Sequence, residues 1–174
     1  MTAAANGPVV VLVGPMGAGK STVAELLGAA WGEPVRDTDR DVEAAEGRSI
    51  ADIFVDSGEE TFRALERAAV AEALAAHRGV LALGGGAVLD PVTREALADR
   101  PVVFLRVGLA DAVKRVGLTS GRPLLFGNVR ARIKALLDER TPIYESVARF
   151  SVDTDGRTPQ EVADEVARVI EEST

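Results

Sequence analysis

The sequence predicts an α/β protein of three layers, a five-stranded parallel sheet with helices on both faces. Three observations carry this. Five short strand-like runs, Val9–Val13, Pro34–Asp37, Gly79–Leu83, Pro101–Leu105 and Arg149–Val152, alternate with stretches of helical pattern. Such alternation brings strands parallel and covers both faces of their sheet. The first run leads straight into Gly14-Pro15-Met16-Gly17-Ala18-Gly19-Lys20-Ser21, which opens a helix. A length of 174 residues with 47% apolar side chains supports one domain with a sizeable core. The expected organisation is a single domain over 1–174, with a disordered lead at 1–7 and a lid at about 117–127.

Val9–Val13 is apolar throughout, as a strand buried on both faces must be. Thr22–Ala30 then places Val23, Leu26, Leu27 and Ala30 on one helical stripe. Residues 34–37 read as a short strand near a sheet edge, and Asp39–Gly47 as a helix with an Asp cap and a Gly stop. Ser49, with Asp52 three residues on, caps a short helix ending near Gly58. A longer helix rich in Ala, Leu and Glu covers Glu59–His77. Gly79–Leu83 runs directly into Gly84-Gly85-Gly86, and Asp90-Pro91 opens a helix to about Ala98. After the strand Pro101–Leu105, Leu109–Val116 is a helix and Gly117–Gly127 an irregular loop. Asn128–Ser146 is a long helix, Arg149–Val152 the fifth strand, and Thr158-Pro159-Gln160-Glu161 the start of a last helix to about Glu171.

Composition narrows the function. A net charge of −7 argues against bulk binding to nucleic acid or an anionic membrane, so positive charge must be gathered locally. The chain has no cysteine, which excludes thiol chemistry and fits a reducing compartment. No apolar run approaches a membrane span, and the first eight residues lack the basic and apolar segments of a signal peptide. The expectation is a cytoplasmic monomer acting on a small molecule, with neither nucleic acid nor membrane as partner.

The chemistry gathers where strands end, the usual ligand side of such sheets. Strand, glycine loop, Lys-Ser and helix form the context of a phosphate-binding P-loop. Its glycines let backbone amides from Gly17 to Thr22 converge on a phosphate, and the helix N-terminus adds donors and partial positive charge. Lys20 can reach the β- and γ-phosphates, and the Ser21 hydroxyl can ligate Mg²⁺. Asp37-Thr38-Asp39 puts two carboxylates after the second strand. They suit Mg²⁺ and a substrate hydroxyl, while a plain helix cap needs only one of them; Asp39 is a candidate for both jobs. Gly84-Gly85-Gly86 is either a plain turn or a place where a second ligand approaches the backbone. The fourth strand ends Phe104-Leu105-Arg106 without an acid, no Asn-Lys-x-Asp motif exists, and Asp153-Thr154-Asp155-Gly156 comes too late for a GTPase switch. A small phosphotransferase remains. In the loop Gly117–Leu124, Arg122 is the candidate to meet the transferring phosphoryl, its other reading being a solvated loop arginine.

Taken together, Gly14–Ser21, Asp37-Thr38-Asp39, Gly58–Glu66, Gly84-Gly85-Gly86, Arg122-Pro123-Leu124 and Arg140-Thr141-Pro142-Ile143-Tyr144 resemble the shikimate kinase family, over about residues 8–170. The P-loop alone would not separate that family from gluconate or nucleotide kinases. The resemblance implies the sheet order 2-3-1-4-5, the P-loop kinase fold, and ATP- and Mg²⁺-dependent phosphorylation of the shikimate 3-hydroxyl. It implies that Asp39, Arg63, Gly84, Gly85, Gly86 and Arg140 bind shikimate, the two arginines on its carboxylate and Asp39 on its ring hydroxyls. Phe54 and Phe62 would line the pocket and Glu66 would orient an arginine. Lys20, Asp37 and Arg122 would be catalytic, with Asp37 the candidate base. Ser21 and Asp37 would handle the metal. Gly17, Ala18, Gly19, Lys20, Ser21, Thr22, Arg115, Arg122 and Arg157 would hold the nucleotide, Arg115 and Pro159 beside the adenine. Arg36 departs from the pattern, a charge where an uncharged residue is expected; Asp39, Glu43 or solvent would receive it. His77 reads as a solvated helix end, and Trp31 and Tyr144 as packing residues.

Overall fold

Strand β1, Val10–Val13, is completely buried and runs through the middle of the sheet. The computed structural model describes residues 7–120 and 128–173. In it β2 (Val35–Asp37), β3 (Val80–Ala82), β4 (Val102–Arg106) and β5 (Phe150–Asp153) join β1 in the order β2-β3-β1-β4-β5. Every neighbouring pair is parallel, with Val11 level with Leu81 on one side and Val102 on the other. Successive side chains of a strand face opposite ways, so the apolar strands feed two cores. Val10, Leu12, Val80, Ala82, Val103 and Leu105 face α1 (Lys20–Trp31) and α7 (Pro159–Glu172), which contribute Val23, Leu27, Val162 and Val166. Val11, Val13, Leu81, Leu83, Val102 and Phe104 face the other layer. There α3 (Ile50–Ala76), α4 (Pro91–Leu97) and α6 (Asn128–Val147) supply Val70, Leu74, Leu97 and Tyr144. Trp31 packs against the first of these cores, as its apolar ring requires. Among the described residues no helix is long and apolar enough to cross a membrane.

A smaller cluster of Val42, Ile53 and Phe62 fastens α2 (Thr38–Glu46) to α3. Ser49 caps α3 through the Asp52 amide. The helix is interrupted at Gly58, whose φ of 86° and ψ of 166° separate a short arm from a long one. The Phe54 and Phe62 rings meet across that break, 4.9 Å between centroids. Thr158 and Glu161 close a full capping box on α7, each side chain bonded to the other's backbone amide at 3.1 Å.

Four local expectations need correction. The cap of α2 is Asp37, not Asp39: its Oδ1 accepts from the Asp39 and Arg40 amides at 2.9 and 3.3 Å, so the helix starts at Thr38. His77 is not a solvated end; its ring nitrogen Nε2 lies 2.9 Å from the Val80 carbonyl, tying the end of α3 to β3. Helix α5 (Leu109–Ser120) runs on through Gly117, because one helical glycine costs only about 1 kcal/mol. The rest of the expected loop, residues 121–127 with Arg122, lies outside the described residues. Arg36 reaches neither Asp39 nor Glu43. Its guanidinium pairs with Asp41 at 2.6 Å and with Glu72 of α3, and Glu43 instead accepts from the Ile50 amide.

Candidate active site

The loops after β1, β2 and β3 meet at the carboxyl end of the sheet. Gly19 adopts the left-handed φ of 85° that turns the chain into α1, a conformation glycine takes without a Cβ penalty. Lys20 follows at once. Its Nζ donates to the Gly14 and Pro15 carbonyls at 2.7 and 3.0 Å, folding the side chain along its own loop. Burial lowers its pKa to about 8, against the opposing pull of the Asp39 and Asp37 carboxylates. The Ser21 hydroxyl donates to Asp37 Oδ2 at 2.9 Å, while Asp37 Oδ1 caps α2. Both oxygens of Asp37 are therefore held in one orientation. Asp39 is pushed up to about 6, first by burial and then by the charges of Asp37 and Glu66.

The triple glycine is the third wall. The Gly84 amide donates to the buried Thr38 hydroxyl at 3.1 Å, and Tyr144 donates its hydroxyl to the Gly85 carbonyl at 2.5 Å. A Cβ on Gly84 would collide with the Asp39 carboxylate, and one on Gly86 with the Arg63 guanidinium, so the two charged groups lie directly on the turn. Arg63 is held by Glu66 at 2.8 Å and by Glu59 at 3.4 Å, its guanidinium 5.3 Å from the centre of the Phe62 ring. Glu66 is 3% exposed; burial raises its pKa in spite of the Arg63 bond. Arg140 belongs to the same cluster, since its charge acts on Lys20, Glu66 and Tyr144. Its Nε is buried and has no hydrogen-bond partner. A buried guanidinium N–H without an acceptor is costly unless a ligand supplies one.

On the far side of the P-loop, Arg115 of α5 donates to the Gly17 carbonyl at 3.0 Å and to the side chain and carbonyl of Thr154 at 3.1 and 3.0 Å. Arg157 turns onto α7, bonded to the Asp153 carbonyl and paired with Glu165 at 2.7 Å. Lys20, Ser21, Asp37, Asp39, Arg63, Gly84, Gly85, Gly86 and Arg140 thus come together as one constellation. Thr38 and Tyr144 join it without having been singled out as site residues. The available signals were the place of Thr38 between two carboxylates and of Tyr144 one helical turn after Arg140. Among the described residues there is no group of three or more His, Cys, Asp or Glu that could hold a metal ion.

A P-loop with its lysine, a paired Ser and Asp, and a facing pocket with a buried arginine Nε–H that lacks an acceptor define a small-molecule P-loop phosphotransferase. The family model for shikimate kinase matches residues 16–171. The chain is 58% identical over 163 residues to the shikimate kinase of Salinispora arenicola, covering 94% of this chain and 98% of that one. It is 55% identical over 161 residues to that of Thermobifida fusca, covering 92% and 94%. A solved structure of shikimate kinase from Acinetobacter baumannii in complex with shikimate superposes with a TM-score of 0.89 at 33% identity, over 97% of this chain and 95% of that one. The chain belongs to the shikimate kinase family.

Proposed function

We propose that this enzyme transfers the terminal phosphoryl group of ATP to the 3-hydroxyl of shikimate, giving shikimate 3-phosphate and ADP on the route to chorismate and the aromatic amino acids. The observation that carries the acceptor is the buried, unpartnered Nε of Arg140 in a cluster with Arg63. Glu66 offsets part of the charge of the two guanidiniums but leaves the Arg140 Nε–H without an acceptor, and a ligand carboxylate matches such planar donors. Asp39, against Gly84, is placed to accept from ring hydroxyls. Lys20 exchanges its two carbonyl acceptors for phosphate oxygens, and a positioned cation there stabilises charge as it develops. Residues 17–22 supply backbone donors to the phosphates. Arg115, Arg157 and Arg122 complete the nucleotide side in this reading.

The donor set suits Mg²⁺. That ion takes one or two protein oxygens beside phosphates and water, and Ser21 Oγ and Asp37 Oδ2 stand 2.9 Å apart. When bound it would neutralise phosphate charge. Asp37, bonded at both oxygens, acts by holding Ser21 and the start of α2 in register. The reading also takes the enzyme to be a single-domain cytoplasmic monomer, and a cysteine-free chain suits a reducing compartment. ADP release, coupled to a dehydrogenase readout, should be slow with ATP alone and rise steeply when shikimate is added. No response to shikimate would overturn the assignment.

A further inference from the structure

A run of three glycines has no side chains with which to pack itself, and glycine is the residue with most backbone freedom to lose. Yet this turn is the surface on which Asp39 and Arg63 rest. Two hydroxyls from separate elements hold it. Thr38, wholly buried at the start of α2, accepts from the Gly84 amide. Tyr144, wholly buried on α6, donates to the Gly85 carbonyl and stacks on Phe104 with 5.1 Å between ring centroids. Burial raises the phenol above its ordinary value, so it keeps the proton it donates at every working pH. Each hydroxyl shares its element with a charged group of the pocket. Thr38 adjoins Asp39, and Tyr144 stands one helical turn beyond Arg140.

We propose that Thr38 and Tyr144 are positioning residues for the acceptor: through Gly84 and Gly85 they set the triple-glycine turn in register with Asp39, Arg63 and Arg140. Neither side chain need touch the acceptor. The inference rests on shikimate being that acceptor. The effect should fall on shikimate rather than ATP, since the observed bonds of Lys20 and Ser21 involve neither hydroxyl.

The test is steady-state kinetics on the full chain with each substrate varied in turn. Tyr144→Phe keeps the stacked ring and removes the hydroxyl's bond to Gly85 together with its contact with the Arg140 side chain. It should raise KM for shikimate roughly three- to tenfold, the usual range for one lost bond, and leave KM for ATP within twofold. Thr38→Val should behave alike, and Thr38→Ser, which keeps the hydroxyl, should restore a near-wild-type KM. This pair serves independently should Tyr144→Phe fail to fold. An unchanged shikimate KM, or an equal rise for both substrates, would overturn the positioning role. A wild-type enzyme that ignores shikimate would instead overturn the functional reading beneath it.

Discussion

At the scale of single residues, Asp39 and Lys20 confer opposite pH limits on the free enzyme. Asp39 must be ionised to accept from an acceptor hydroxyl, and burial places its pKa at about 6. Lys20 must be charged to meet a phosphate, and burial lowers it to about 8. Because kcat/KM reports the free enzyme, its value for shikimate should fall below about pH 6, and its value for ATP above about pH 8. Profiles flat from about pH 5 to 9 would exclude both assignments. Asp39 also bears on stability. Its folded pKa lies above the ordinary 3.8, so the folded state binds the extra proton between those values. The stability this contributes is complete below 3.8 and is lost as pH rises through about 6. At neutral pH the ionised group therefore costs the fold about 2–3 kcal/mol. Asp39→Asn should lose shikimate turnover yet resist urea better than wild type at pH 7, with the difference shrinking as the pH falls towards 4. A variant less stable at pH 7 would show that Asp39 is not strained by burial.

At the scale of elements, the break in α3 has one cause. Gly58 sits at φ 86° and ψ 166°, a region that is essentially glycine's alone, and a Cβ there would meet nothing within 4 Å. Gly58→Ala is thus a backbone experiment with no steric confusion. It should cost about 1–3 kcal/mol and raise KM for shikimate more than KM for ATP, because the break lets Phe54 meet Phe62, next to Arg63. Equal effects on both substrates in a thermally weakened variant would detach the break from the pocket. This stop was legible in the sequence because a glycine after a capped run ends a helix. The cap of α2 was not, because Asp37 and Asp39 both have a capping side chain, and what selects Asp37 is the hydrogen bond its other oxygen accepts from the Ser21 hydroxyl of α1. Arg36 was unreadable for a related reason. One partner, Glu72, lies 36 positions away on α3 where no local spacing points, and the other, Asp41, is one of several nearby acids. His77 differs: its acceptor, the Val80 carbonyl, is only three positions on, and what could not be read is the turn between α3 and β3 that points the ring at it.

At the scale of the whole molecule, strand and helix alternation disclosed the layers, because β1, β3 and β4 are apolar on both faces wherever helices cover them. Alternation does not disclose neighbours. The order β2-β3-β1-β4-β5 was readable only through the resemblance of several spaced motifs to one family. That order brings a loop made early in synthesis against a segment made much later. Arg115 joins the Gly17 carbonyl of the first loop to Thr154, which follows the last strand and is itself bonded to the Arg106 carbonyl. Synthesis therefore delivers the nucleotide cradle well before Thr154, which holds Arg115 against it. Until β5 and α7 have emerged, Arg115 lacks the Thr154 acceptors that hold it on the loop, and α1 lacks the α7 side chains that complete the core beneath it. A fragment of residues 1–149 should retain ATP far more weakly than the full chain in equilibrium dialysis; equal retention would mean that the cradle stands unaided. The growing enzyme should stay silent towards its nucleotide until β5 and α7 have been made.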